Sequence, residues 1–203
     1  MNGIIRRVVV IAGSKNDLIK KGRAAIKYLI DKRDKGAVEI VGIHVSSCHR
    51  QPKSTRELVK KYHEKCNIDF ILAIAGKAAD LPGFIDAYLR NELYDYRIGV
   101  IGVGLPGATL RDTLAAELSI TDIPGNQVIY AGQSILEGCV MACDYPVPEI
   151  KININPSAED FESLEQILAM TEEEEEEPKN GLLITADQVI SVYEAMQMAF
   201  PKS

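Results

Sequence analysis

Apolar and polar positions along this chain alternate between two periods. Val8 to Ala12 is a continuous apolar run, after which Leu18, Ile19, Gly22, Ala25, Ile26, Leu29 and Ile30 recur near the spacing of a helix lying on a sheet. Val38 to Val45, rich in β-branched residues, returns to strand character, and Leu58 to Tyr62 to helical character. Phe70 to Ala75 and Ile98 to Val103 are short unbroken apolar runs, as expected of strands buried on both faces of a parallel sheet. Strands alternating with helices in this way predict an α/β fold: a three-layer, doubly wound parallel sheet of the flavodoxin-like or Rossmann-like kind.

Past Tyr145 the pattern changes. Pro146 and Pro148 punctuate the chain, Lys151 to Ile154 alternates like an edge strand, and Ser157 to Met170 reads as an amphipathic helix through Phe161, Leu164, Ile167 and Leu168. The glutamate run Glu172 to Glu177 reads as a solvated linker or frayed helix end. A last helix is predicted from Thr185, with Gln188 completing a capping box and Val189, Ile190, Tyr193, Met196 and Met198 apolar. The expected division is an α/β domain over residues 1–148 and a C-terminal helical extension over 149–203, packing on the core or on a neighbouring subunit.

Length and composition narrow the class. A chain of 203 residues with 46% hydrophobic content can bury one substantial core. The net charge is −6 and the acidic residues concentrate late, so no basic stripe suits nucleic acid or an anionic membrane surface. The cysteines Cys48, Cys66, Cys139 and Cys143 lack the paired spacing of a zinc ribbon, and neither a signal peptide nor an apolar run of membrane-spanning length is expected. These features predict reduced thiols in a cytoplasmic protein, with Cys48 beside His49 a candidate reactive thiol.

The candidate chemistry sits where strands end. After Val45 come Ser46-Ser47-Cys48-His49-Arg50-Gln51-Pro52, which place an imidazole beside a guanidinium on a strand-to-helix loop. Ser54-Thr55-Arg56-Glu57 reads as a capping box and starts the next helix just after Pro52. His44 lies inside the strand and is expected to be packed, and His63 in a charged helix to be solvated. After the first strand, Gly13, Ser14 and Asp17 open a helix whose free N–H groups favour an anion, although Asp17 also suits simple helix stabilisation. After the third strand, Gly76-Lys77-Ala78-Ala79-Asp80-Leu81 combine small residues with two charges, which fits a pocket rim or an ordinary βα turn. The convergence of three such strand ends favours one site.

In these segments the chain resembles the PurE family of purine biosynthesis, over roughly residues 4 to 145. The resemblance is carried by G-S-K-N-D (13–17), V-S-S-C-H-R-Q-P (45–52), I-A-G-K-A-A-D-L-P-G (74–83) and V-I-G-V (100–103), in the family's order and spacing. It implies carboxyl-group transfer on aminoimidazole ribonucleotide. The N5-carboxyaminoimidazole ribonucleotide mutase route is favoured, with direct carboxylation by CO2 or bicarbonate as the alternative. It further implies no metal or organic cofactor and a homo-oligomer, the family's usual state being an octamer. His49 is implied as the general acid/base, Ser14 and Asp17 as phosphate and ribose contacts, and Arg50 as a phosphate clamp. Gly13, Ser47, Gly76, Lys77, Ala78, Asp80 and Leu81 complete the implied substrate-binding set.

The chain also departs from the family. Asp80 stands where the mutase branch has a loop histidine, Lys77 resembles the basic residue of the carboxylase branch, and His49-Arg50 matches the mutase branch. These departures keep a non-catalytic nucleotide-binding paralogue in play. A dinucleotide-binding oxidoreductase is suggested by Gly102-Val103-Gly104-Leu105-Pro106-Gly107 with Asp122 beyond it, but Pro106 lies inside the would-be turn. A metal site from His44, Cys48, His49 and Cys66 fails on convergence, because strand alternation turns successive side chains to opposite faces.

Overall fold

The computed structural model describes residues 5–65 and 67–152. The elements, in order, are β1 (Arg6–Ala12), α1 (Lys15–Lys21), α2 (Arg23–Asp34), β2 (Val38–Val45), α3 (Pro52–Lys65), β3 (Phe70–Gly76), α4 (Asp80–Ala87) continued by a π-helical turn (Tyr88–Glu92), β4 (Gly99–Leu105), α5 (Leu110–Thr121), β5 (Ile129–Tyr130) and α6 (Ile135–Asp144). All strand pairings are parallel, and the five-stranded sheet runs β2-β1-β3-β4-β5. Chain order reverses between β1 and β3, which opens a crevice beyond their carboxyl ends.

Strand alternation sorts the core into two layers. Val8, Val10, Phe70, Leu72, Ile74, Ile101 and Val103 face α2 and α6, while Val9, Ile11, Ile71, Ala73 and Val100 face α3, α4 and α5. On β4 the second set is completed by glycines. A Cβ on Gly102 would lie 2.8 Å from Val128 Cγ1 and 2.9 Å from Ile120 Cγ2, and one on Gly104 would lie 3.1 Å from the Ala116 carbonyl oxygen. The Gly-Val-Gly run therefore admits α5 against the sheet. It lies within β4 and not in a turn, and Asp122 is the C-cap of α5, so the dinucleotide fingerprint has no structural counterpart.

Several local expectations are corrected. The helical pattern from Leu18 to Ile30 is broken at Gly22, which is the C-cap of α1 and the N-cap of α2; only Ala25 and Leu29 of α2 are buried, while Ile19, Ile26 and Ile30 are exposed. α3 begins at Pro52 itself, where a missing N–H costs nothing, so Ser54 falls inside the first turn and caps nothing. His63 is not freely solvated: its Nδ1 lies 2.6 Å from Asp95 Oδ2. His44 packs as expected, with Nε2 2.6 Å from Tyr62 Oη. Lys151 and Ile152 are not in a strand; the Lys151 backbone instead brackets the Gln127 side-chain amide. The rest of that expected strand, the helices beyond it and the glutamate run lie outside the described residues. No helix among the described residues is long and apolar enough to cross a membrane.

Candidate active site

Three strand ends meet at the crevice. The Gly13 amide donates to the Ile74 carbonyl at 2.8 Å, joining the end of β1 to β3, and the Ser46 amide donates to the Ala12 carbonyl at 2.9 Å, joining the end of β2 to β1. Around this junction lies a cavity of about 570 Å³ lined by Gly13, Ser14, Asp17, Ser47, Cys48, His49, Arg50, Ala75, Gly76, Lys77, Ala78, Asp80 and Leu81. The structure thus brings together every residue expected at the substrate site, and adds Cys48 and Ala75. His44 and His63 stand apart, held by Tyr62 and Asp95, and Cys66 lies outside the described residues.

Each strand end contributes differently. Ser14 is the N-cap of α1, its Oγ accepting from the Asp17 amide at 3.3 Å, which orders the first loop. Because α1 is seven residues long, attraction for an anion here depends more on side-chain cations than on the helix end. Arg50 supplies one: its Nη2 donates to the Gly13 carbonyl at 3.0 Å, bridging the first and second strand ends. Lys77 supplies another from a backbone held at φ 56°, a left-handed conformation that a side chain adopts at a cost of about 1–3 kcal/mol and that gathers at functional sites.

The small residues also divide into two kinds. A Cβ on Gly13 or Gly76 would meet only ordinary contacts, at 3.7 Å, so protein packing does not require glycine at either position, in contrast to Gly102. Their effect is to leave room on the cavity side. Burial, and then the nearby Asp80 carboxylate, pushes the Cys48 thiol up from its ordinary value, which disfavours the thiolate and corrects the expectation of a reactive cysteine.

This arrangement of an imidazole, two cations and two carboxylates around a small-residue floor suits a compact anionic substrate that exchanges a proton. Comparison with known proteins identifies the lineage. The family model described as AIR carboxylase matches residues 7–131, more than half of the chain. The chain belongs to the AIR carboxylase (PurE) family. Membership gives it a role in purine biosynthesis as a PurE-type mutase or carboxylase. Among solved structures it is similar to a PurE of Treponema denticola, at 16% identity and a TM-score of 0.50 over 68% of this chain and 77% of that one. A PurE2 variant of the same organism gives 15% identity and a TM-score of 0.52 over 68% and 78%. At that identity the likeness shows the fold. No curated relative matches the chain.

Proposed function

We propose that the chain acts by the mutase route, converting N5-carboxyaminoimidazole ribonucleotide to its ring-carboxylated isomer, with His49 as the acid/base. The observation that carries this reading is the adjacency of His49 and Arg50 on one cavity-lining turn, with Arg50 tied to the Gly13 carbonyl beside Ser14. Arg50 and Ser14 hold the phosphate, Asp17 the ribose, and Gly13, Ser47, Gly76, Ala78 and Leu81 shape the space around the base.

The bonds and protons balance through one imidazole. The exocyclic N–C bond breaks to release CO2, and the nitrogen takes a proton from His49. The nucleophilic ring carbon attacks the retained CO2, and the proton displaced from that carbon returns to His49. Gly76 and Ala78 leave room beside the ring carbon where the freed CO2 is held between the two steps. Lys77 faces the migrating carboxylate, and Asp80 accepts from the exocyclic amine.

A second reading, direct carboxylation of aminoimidazole ribonucleotide, is supported by Lys77, a cation placed to attract bicarbonate. Carbon-13 bicarbonate separates the two. The mutase route gives product with unlabelled carboxylate from the carbamate substrate, whereas label incorporated into product from aminoimidazole ribonucleotide selects carboxylation. Binding without turnover in either assay leaves the nucleotide-binding paralogue.

The same reading extends to a cytoplasmic homo-octamer. Leu110, Leu114 and Leu118, spaced four apart on α5 and exposed, support a partner surface. Light scattering on the full chain tests this, and a monomer overturns it.

A further inference from the structure

Behind the His49–Arg50 turn lies a buried polar contact that the substrate cavity does not use. β2 carries a bulge: Val8 pairs with Ile40 and Val9 with Gly42, which leaves Val41 unpaired. Beyond the bulge, Gly42, His44 and Ser46 share the face toward α3. A Cβ on Gly42 would collide with Tyr62 Oη, and His44 bonds that same hydroxyl. Ser46, next in the series, meets α3 nearer its start, with Oγ 2.7 Å from Thr55 Oγ1.

The direction of this contact follows from proton counting. Thr55 Oγ1 donates to the Gln51 carbonyl at 3.0 Å, and a hydroxyl has only one proton to give. Ser46 is therefore the donor, and a directed relay runs from Ser46 Oγ–H through Thr55 Oγ1–H to the Gln51 carbonyl. Both residues are buried, at 4% and 0% exposure. The relay spans residues 47–51, within which the Gln51 amide donates to the Ser47 carbonyl at 2.8 Å and the Arg50 amide to Ser47 Oγ at 3.3 Å. The turn is thus fixed at both ends, with His49 and Arg50 at the cavity.

We propose that Ser46 and Thr55 are positioning residues for carboxyl transfer: their hydroxyl relay sets the turn so that the His49 imidazole meets the reacting atoms. The inference rests on the role given to His49 above. An apolar pair would fill the same space and keep the Thr55 amide on the Gln51 carbonyl at 3.0 Å, but it would lose the directed side-chain tie between the end of β2 and that carbonyl. Arg50 has its own tie to the Gly13 carbonyl, so loss of the relay affects proton transfer more than substrate binding.

Thr55→Val keeps the side-chain shape and removes the hydroxyl, and Thr55→Ser keeps the hydroxyl. In steady-state carboxyl-transfer assays on the full chain, Thr55→Val lowers kcat by about tenfold or more, since small displacements of a reacting group are costly, while KM changes less. Thr55→Ser restores kcat to near the wild-type value. In the unliganded protein, the His49 ring resonances, assigned by their loss in His49→Asn, shift in Thr55→Val and not in Thr55→Ser. Melting curves ensure that all variants are compared folded. Unchanged kcat in Thr55→Val, or equal loss in both variants, overturns the proposal. If the wild type turns over neither substrate, the functional reading fails separately and the resonances decide: a His49 ring shifted only in Thr55→Val sustains the positioning role, and an unmoved ring overturns it.

Discussion

The two ends of the sheet use similar residues to opposite effect. At the amino end, before β4, Arg90 Nε bonds Asp86 at 3.0 Å with both side chains buried, and its other nitrogens donate to the carbonyls of Asp95 and Ile98. Asp95 in turn accepts from His63 and Arg97, while Arg6 faces Asp69 and Arg7 pairs with Glu39. At the carboxyl end, Asp17, His49, Arg50, Lys77 and Asp80 line one cavity, and none forms an ion pair among the described residues. Charge at one end is neutralised within the protein, and charge at the other remains available to a ligand. The difference separates a structural network from a functional one more clearly than residue type does.

Substitutions at the two ends test that contrast. His49→Asn should lower turnover by about 100-fold or more while sparing substrate binding, because it removes proton transfer and little else. Near-normal turnover would remove His49 from the mechanism. Asp86→Ala, at the other end, should destabilise the fold by about 3–5 kcal/mol, since it leaves the Arg90 guanidinium buried without its carboxylate. Denaturant melts read this, and a change below about 1 kcal/mol, the worth of an exposed pair, would mean that the network is not structural. Arg50→Ala should raise KM by about 10- to 100-fold, the worth of charge-assisted hydrogen bonds to a phosphate, with a smaller change in stability.

The smallest effect is one of pH. Burial alone would raise the Asp95 carboxyl, but hydrogen bonds from Arg97 and His63 outweigh it and hold the group at about 2. A folded value below the unfolded one, about 3.9, means that the stabilisation is present above the unfolded value and is lost as pH falls toward 2. Its size is about 2–3 kcal/mol. Melts of wild type and Asp95→Asn between pH 5 and pH 2 should therefore converge as pH falls, whereas a constant gap would contradict the assignment.

The pattern of the chain makes some of this legible and hides the rest. β3 and β4 announce themselves as unbroken apolar runs because both of their faces are covered, and the strand-end loops stand out because charge and small residues follow those runs directly. The break at Gly22 is hidden because the apolar spacing continues through it, although Ile26 and Ile30 are exposed. The pairing of His63 with Asp95 joins positions 32 residues apart, beyond the reach of local pattern. Ser46 and Thr55 are obscured by the Val41 bulge, which shifts the alternation that would otherwise assign their faces. β5, with two residues, is too short to carry a period.

The central claim is that the unpaired charges at the carboxyl edge serve carboxyl transfer on an aminoimidazole ribonucleotide. The most direct measurement is ultraviolet-monitored turnover of N5-carboxyaminoimidazole ribonucleotide by the purified full chain, run alongside aminoimidazole ribonucleotide with bicarbonate. The account predicts repeated turnover of the carbamate substrate without added bicarbonate. A folded protein that forms no ring-carboxylated product from either substrate would contradict it.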